Sequence, residues 1–310
     1  MARPTLGLIG VGRMGEPMAR RLLAAGYAVT VHDTDPEAVA RLECAGAATA
    51  ANPAAVASGC DVTLLSLPTP DIVDKVAFGE DGIVAAGAPE GRIVVDLSTT
   101  GPDGARALGQ GLGATGFKVV DCPVSGGVGG AEKGTLALMA ACERTTYETL
   151  APILEILGKP FHVGPEPGMG QMTKLLNNLV SVTALAVTSE ALVLGAKAGL
   201  DPGTLVEVIN VSSGQSNAST AKIPNFVLTR SFDFGFALGL SDKDLRLCMQ
   251  QAEALGVPMV VGSTVREYLK IAKAKLGADA DLTQIIQPME EWAGTTVEGR
   301  AAKGEGVPIE

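Results

Sequence analysis

Near the start of the chain, Gly10-Val11-Gly12-Arg13-Met14-Gly15 sets three glycines where bare backbone can receive an anion. The strand-like run Thr5–Gly10 leads into them and an Ala- and Leu-rich helical run leaves them, and this context gives a short pattern its meaning. Gly10 permits a tight turn, Gly12 admits a pyrophosphate against the main chain, and Gly15 lets the helix close on the strand. Unpaired amides at the helix start then face phosphate oxygens, where the helix dipole also favours negative charge. Glycine-rich turns of this kind also occur as plain packing solutions. Asp33, at the end of the next strand-like run, adds a carboxylate suited to an adenosine ribose and hostile to a 2′-phosphate. Thr34, Asp35 and Pro36 follow it without an arginine to offset that charge, which predicts NAD rather than NADP. The plainer alternative is that Asp33 only caps its own turn.

A second glycine loop, Asp121 to Gly130, follows another strand-like run, at the edge where ligands collect in open α/β sheets. Ser125, Gly126 and Gly127 there offer a hydroxyl and glycine amides that make a compact carboxylate receiver, or simply a loop shaped by turn geometry. Further along, Gly168-Met169-Gly170-Gln171-Met172-Thr173-Lys174 opens a helix in which Lys174 and Asn178 stand one turn apart on one face, with Asn177 beside them. Met172, Leu175, Leu176 and Leu179 surround the lysine with apolar surface, and lost hydration lowers an amine's pKa toward values useful for proton transfer. A helical lysine of this kind is also commonly just solvated.

The elements that must position these groups fall into two textures. Thr5–Gly10, Ala28–His32, Val62–Ser66, Arg92–Asp96 and Gly116–Asp121 read as nearly all-apolar strands separated by helical stretches, the signature of a doubly wound parallel sheet covered on both faces. Thr135–Ala141 and Phe161–Val163 are candidates to extend it. Two prolines and two glycines in Gly164–Gly168 then interrupt the pattern. Past that point only helices are expected: Gln171–Ala198, Pro202–Val211, Ser219–Thr229, Leu240–Leu255, Pro258–Leu276 and Thr283–Trp292. The expected organisation is a dinucleotide-binding α/β domain over residues 1–164, an all-α domain over 165–298 entered by a long helix, and a loose tail, 299–310.

Composition narrows the partners. The 310 residues carry a formal charge of −10, which repels nucleic-acid backbones and anionic membranes. Five scattered cysteines without CxxC spacing and only two histidines fit reduced thiols in a cytoplasmic protein and no metal site. Ser181–Leu200 is apolar enough to resemble a membrane span, but Glu190 and Lys197 interrupt it and no second span or basic flank accompanies it. A helix apolar on most faces is more simply buried by its neighbours or by a second subunit, so a homodimer or homotetramer is expected.

The order and spacing of Gly10–Gly15, Asp121–Gly127, Gly168–Asn178 and Lys243-Asp244-Leu245 resemble the β-hydroxyacid dehydrogenases, the 3-hydroxyisobutyrate dehydrogenase group related to 6-phosphogluconate dehydrogenase. The likeness runs from Thr5 to about Gly294. It implies a Rossmann domain joined by a long helix to an all-α domain, an active site in the cleft between them, and hydride exchange between a short carboxylate-bearing substrate and NAD. Lys174 then matches the catalytic lysine, Ser125, Gly126 and Gly127 the carboxylate loop, and Asn178 the substrate-orienting asparagine. Leu67, Pro68 and Thr99 match cofactor-lining positions, and Lys243 a lysine approaching the cofactor from the second domain. Cys122, where alanine is common, and the extra glycines after Gly127 depart from the pattern. Reduction of aldehydes such as tartronate semialdehyde or of imines, and a non-catalytic NAD-binding role, are the alternatives; the lysine argues against the last two.

Overall fold

The computed structural model describes residues 3–87 and 91–299 of the chain. All of the expected tail except Gly299 lies outside the described residues. The chain divides into two compact units, the split falling after Lys174.

The first unit holds one nine-stranded sheet. Strands β1 (Leu6–Ile9), β2 (Val29–His32), β3 (Ala48–Thr49), β4 (Val62–Leu65), β5 (Ile93–Asp96) and β6 (Lys118–Asp121) run parallel in the order β3-β2-β1-β4-β5-β6. Between them lie helices α1 (Gly15–Ala24), α2 (Pro36–Glu43), α3 (Pro53–Gly59), α4 (Pro70–Phe78) and α5 (Pro102–Gly113). Alternate residues of one strand feed different cores: Leu6, Leu8, Val62, Leu64, Ile93 and Val95 join one buried cluster, while Ile9, Leu65 and Val94 join another. Both faces being covered explains why these strands read as unbroken apolar runs.

Beyond β6 the sheet changes character. β7 (Val124–Ser125), helix α6 (Gly127–Lys133), β8 (Leu136–Ala141), helix α7 (Arg144–Leu157) and β9 (Gly158–Gly164) follow. β8 pairs antiparallel with β6 and β7 and parallel with β9, so the sheet is not parallel throughout. The two-residue strands β3 and β7 are too short to leave a periodicity in the sequence.

Helix α8 (Met169–Lys197) runs through the split between the units. The second unit continues with α9 (Pro202–Asn210), a π-helical segment (Ala218–Val227), α10 (Leu238–Ala254), α11 (Val260–Leu276), a 3-10 turn (Leu282–Ile285) and α12 (Ile286–Ala293). The expected helix around Ser219–Thr229 is present in π form, with Pro224 inside it; a proline lacks the N–H an α-helix would need there. An 18-residue window of α8 reaches a mean hydropathy of 1.8. Val182, Leu185, Leu192 and Val193 spend that apolarity on the second unit's core, while Val180, Val187 and Leu194 form an outward stripe.

Candidate active site

Hydrogen bonds tie several of the loops at the carboxyl ends of the parallel strands to one another. In the turn after β1, Gly10 adopts φ +88°, and a Cβ there would collide with Ser66 O and Leu67 Cδ2. A Cβ at Gly15 would collide with Gly10 O, so α1 can close on the turn only with glycine. At Gly12 a Cβ would meet no atom within 4 Å. The turn is thus tight at its ends and open at its middle, the shape a dinucleotide pyrophosphate requires. Asp33 stands at its rim: Oδ2 accepts from Val11 N at 2.7 Å and Oδ1 from Asp35 N at 2.9 Å. The carboxylate therefore caps its own turn and also holds the glycine turn in place. Arg13 is exposed and Met14 half-buried. After β4, Leu67 N donates to Ser98 Oγ at 3.0 Å, tying Leu67 and exposed Pro68 to the loop after β5 that carries half-buried Thr99.

The second loop is built on β6. Asp121 ends that strand, and Ser125 lies on β7 opposite Ala137 of β8. Gly126 and Gly127 take φ +135° and +64°, both exposed, and Gly127 opens α6. Both positive φ values call for glycine, and the two residues lie exposed at the start of α6. Cys122 is fully buried in the first core, and burial pushes its thiol well above the usual range, which leaves it a packing residue.

Asp121 Oδ2 accepts from Gly168 N at 2.9 Å and Gln171 N at 3.1 Å, and Oδ1 accepts from Gln171 Nε2 at 2.8 Å. Gln171 Nε2 also donates to Ser98 O at 3.0 Å, and its Oε1 accepts from Thr100 N at 2.9 Å and Gly101 N at 3.0 Å. The first turn of α8, three residues before Lys174, is thereby fixed to the loops after β5 and β6. This explains why the compact first unit extends to Lys174, past the glycine- and proline-rich Gly164–Gly168. Asp96 stands beside Asp121 in register. Its Oδ1 accepts from Ser98 N at 2.9 Å, Oδ2 is buried without a hydrogen bond, and burial pushes its carboxyl up to about 6. Burial raises Asp121 too, against the hydrogen bonds that favour its charged form.

Two family models divide the chain between them. Residues 5–166 match the NAD-binding domain of 6-phosphogluconate dehydrogenase, and residues 168–289 match the NAD-binding domain of NADP-dependent 3-hydroxyisobutyrate dehydrogenase. The chain belongs to the 3-hydroxyisobutyrate dehydrogenase family. The 2-(hydroxymethyl)glutarate dehydrogenase of Eubacterium barkeri is 36% identical over 95% of this chain and 97% of its own, and the 3-hydroxyisobutyrate dehydrogenase of Pseudomonas aeruginosa 36% over 86% and 91%. A solved Mycobacterium tuberculosis 3-hydroxyisobutyrate dehydrogenase with L-serine superposes with a TM-score of 0.85 at 30% identity, covering 93% of this chain and 99% of that one. The protein is a nicotinamide-dependent oxidoreductase of hydroxy acids, with a dinucleotide-binding domain of the Rossmann type.

The second unit carries the remaining residues singled out from the sequence. Asn178 is buried; its Nδ2 donates to Asp244 Oδ2 at 2.7 Å, and its Oδ1 accepts from Asn177 Nδ2 at 3.2 Å. Half-buried Lys243 pairs with Asp244 Oδ1 at 3.4 Å. The amide of Asn178 is thus oriented by Asp244, a residue read in the sequence only as part of the Lys243-Asp244-Leu245 motif. Asp96 and Gln171 were equally silent there. Their sequence surroundings are unremarkable apolar strand and helix start, and only pairing across the sheet edge reveals what they do.

Proposed function

We propose that the protein interconverts a short β-hydroxy acid of the 3-hydroxyisobutyrate type and its aldehyde with NAD, and that Lys174 is the acid–base group. One observation carries this reading: Lys174 follows directly on the turn of α8 that is hydrogen-bonded to Asp121, the residue ending the strand that leads into Ser125–Gly127. The substrate carboxylate rests on the Ser125–Gly127 amides. Bound nicotinamide supplies a two-electron acceptor for the carbinol carbon. Lys174, as a neutral amine, takes the hydroxyl proton at Nζ; in the reverse direction its ammonium polarises the carbonyl and returns that proton. Asn178, with its amide oriented by Asp244, and Lys243 are the second unit's candidates for substrate and cofactor contacts.

The glycine turn and Asp33 would hold the dinucleotide. Asp33, Asp35 and Glu37 crowd three carboxylates around the end of β2, which supports NAD over NADP. The substrate is a compact acid by analogy with the hydroxymethylglutarate and hydroxyisobutyrate enzymes, and one methylene separates such substrates by only about 1–3 kcal/mol. A panel of β-hydroxy acids assayed with NAD and NADP in parallel tests the reading. NAD should be reduced by the acids and not by the matching alcohols that lack a carboxylate; equal activity on those alcohols would remove the role of Ser125–Gly127.

A further inference from the structure

Gln171 is fully buried, and its carboxamide has no hydrogen-bonding position to spare. Two backbone donors, Thr100 N and Gly101 N, meet its oxygen, and its nitrogen meets two acceptors, Ser98 O and Asp121 Oδ1. An amide can make four such bonds only in one orientation. The side chain therefore reads the relative placement of three segments: the loop after β5 flanking Thr99, the end of β6 before Ser125, and the turn of α8 before Lys174. Its neighbours reinforce the seat. A Cβ on Gly170 would lie 2.5 Å from Met139 O and 2.9 Å from Asp121 O, so the helix start approaches the sheet as closely as backbone allows.

We propose that Gln171 is a positioning residue that sets the height and rotation of the first turns of α8, and through them the reach of Lys174. The proposal rests on Lys174 being the acid–base group. Generic packing would be served by any apolar side chain of similar size. Here, such a replacement leaves Asp121 and three backbone groups short of partners in a buried site, and the turn shifts to recover them. A shift of about 1 Å in a catalytic group costs on the order of 10²-fold in rate.

The test compares Gln171→Met, Gln171→Glu and Lys174→Ala in oxidation of 3-hydroxyisobutyrate with NAD, with the carbinol carbon protonated or deuterated. Gln171→Met should lower kcat by roughly 10²-fold with a smaller change in KM, and should raise the primary isotope effect on kcat as the chemical step becomes limiting. A merely structural residue would lower the fraction of active protein and leave the isotope effect alone. Gln171→Glu preserves shape, so it keeps the test alive if the methionine variant does not fold. In the glutamate variant one oxygen still accepts from Thr100 N and Gly101 N, and the other faces two acceptors. Its kcat relative to wild type should hold in acid, where the carboxyl is protonated, and fall as it ionises against Asp121, a step absent from the wild-type profile. Wild-type isotope effects and pH profiles in both variants overturn the proposal. If Lys174→Ala is inactive while the Gln171 variants behave as wild type, only the positioning role fails; if Lys174→Ala turns over normally, the acid–base reading and this one fail together.

Discussion

At Gly12 a Cβ would meet nothing within 4 Å, whereas at Gly170 it would strike Met139 O and Asp121 O. The two glycines belong to two regions on the same edge of the sheet. The turn after β1 leaves a space and lines it with amides, so it receives a ligand by being open. The region around Gln171 is filled, the Gln171 carboxamide paired at every position, so it places a side chain by being rigid. Identical residue types thus serve opposite ends, and substitution separates them.

The sharpest contrast lies within the turn itself. Gly15→Ala forces a Cβ into Gly10 O, an overpacking that costs about 1–3 kcal/mol or more, and cofactor binding should be lost with it. Gly12→Ala should leave stability within about 0.5 kcal/mol of wild type while weakening cofactor affinity. Urea unfolding and cofactor titration of the two variants check this; equal loss of stability in both would dissolve the distinction. In the filled region the cost is electrostatic. Asp96 has its folded pKa raised from 3.8 to about 6, so the folded state keeps a proton that the unfolded chain releases. Its contribution to stability is therefore largest in acid and falls as pH rises from about 4 to about 6, by roughly 3 kcal/mol at 1.36 kcal/mol per unit. Asp96→Asn retains an acceptor for Ser98 N and should flatten the pH dependence relative to wild type; parallel curves would contradict the assignment. The smallest effect belongs to the rim of the open region. Asp33→Ser should raise the NADP-to-NAD ratio of kcat/KM by about tenfold, ~1.4 kcal/mol, and an unchanged ratio would show that Asp33 serves only the turn.

The same contrast governs what the amino-acid sequence reveals. The open region is local: Gly10, Gly12 and Gly15 lie within six residues of one another and Asp33 at the end of the next strand, so spacing alone exposes their purpose. The strands β1, β4 and β5 were legible for a similar reason, since burial on both faces makes each a nearly unbroken apolar run; β2 and β6, which carry half-buried Thr30 and His32 and exposed Lys118, were legible through their valine pairs. Gln171, Asp121, Ser98 and Thr100 come from three separate segments, and their partnership exists only once β5 and β6 lie side by side and α8 starts above them. Asn178 and Asp244 are likewise separated by one intervening helix, α9, and a π-helical segment. Lys174 and Ser125 were found through motif order, and the bonds that support them could not be.

The central claim is that Lys174 moves the substrate's proton. Its direct test is Lys174→Ala, with cofactor affinity measured by titration and turnover measured at saturating 3-hydroxyisobutyrate and NAD. Turnover should fall by about 10²–10⁴-fold with cofactor affinity nearly unchanged; turnover equal to that of the unaltered protein would contradict the account.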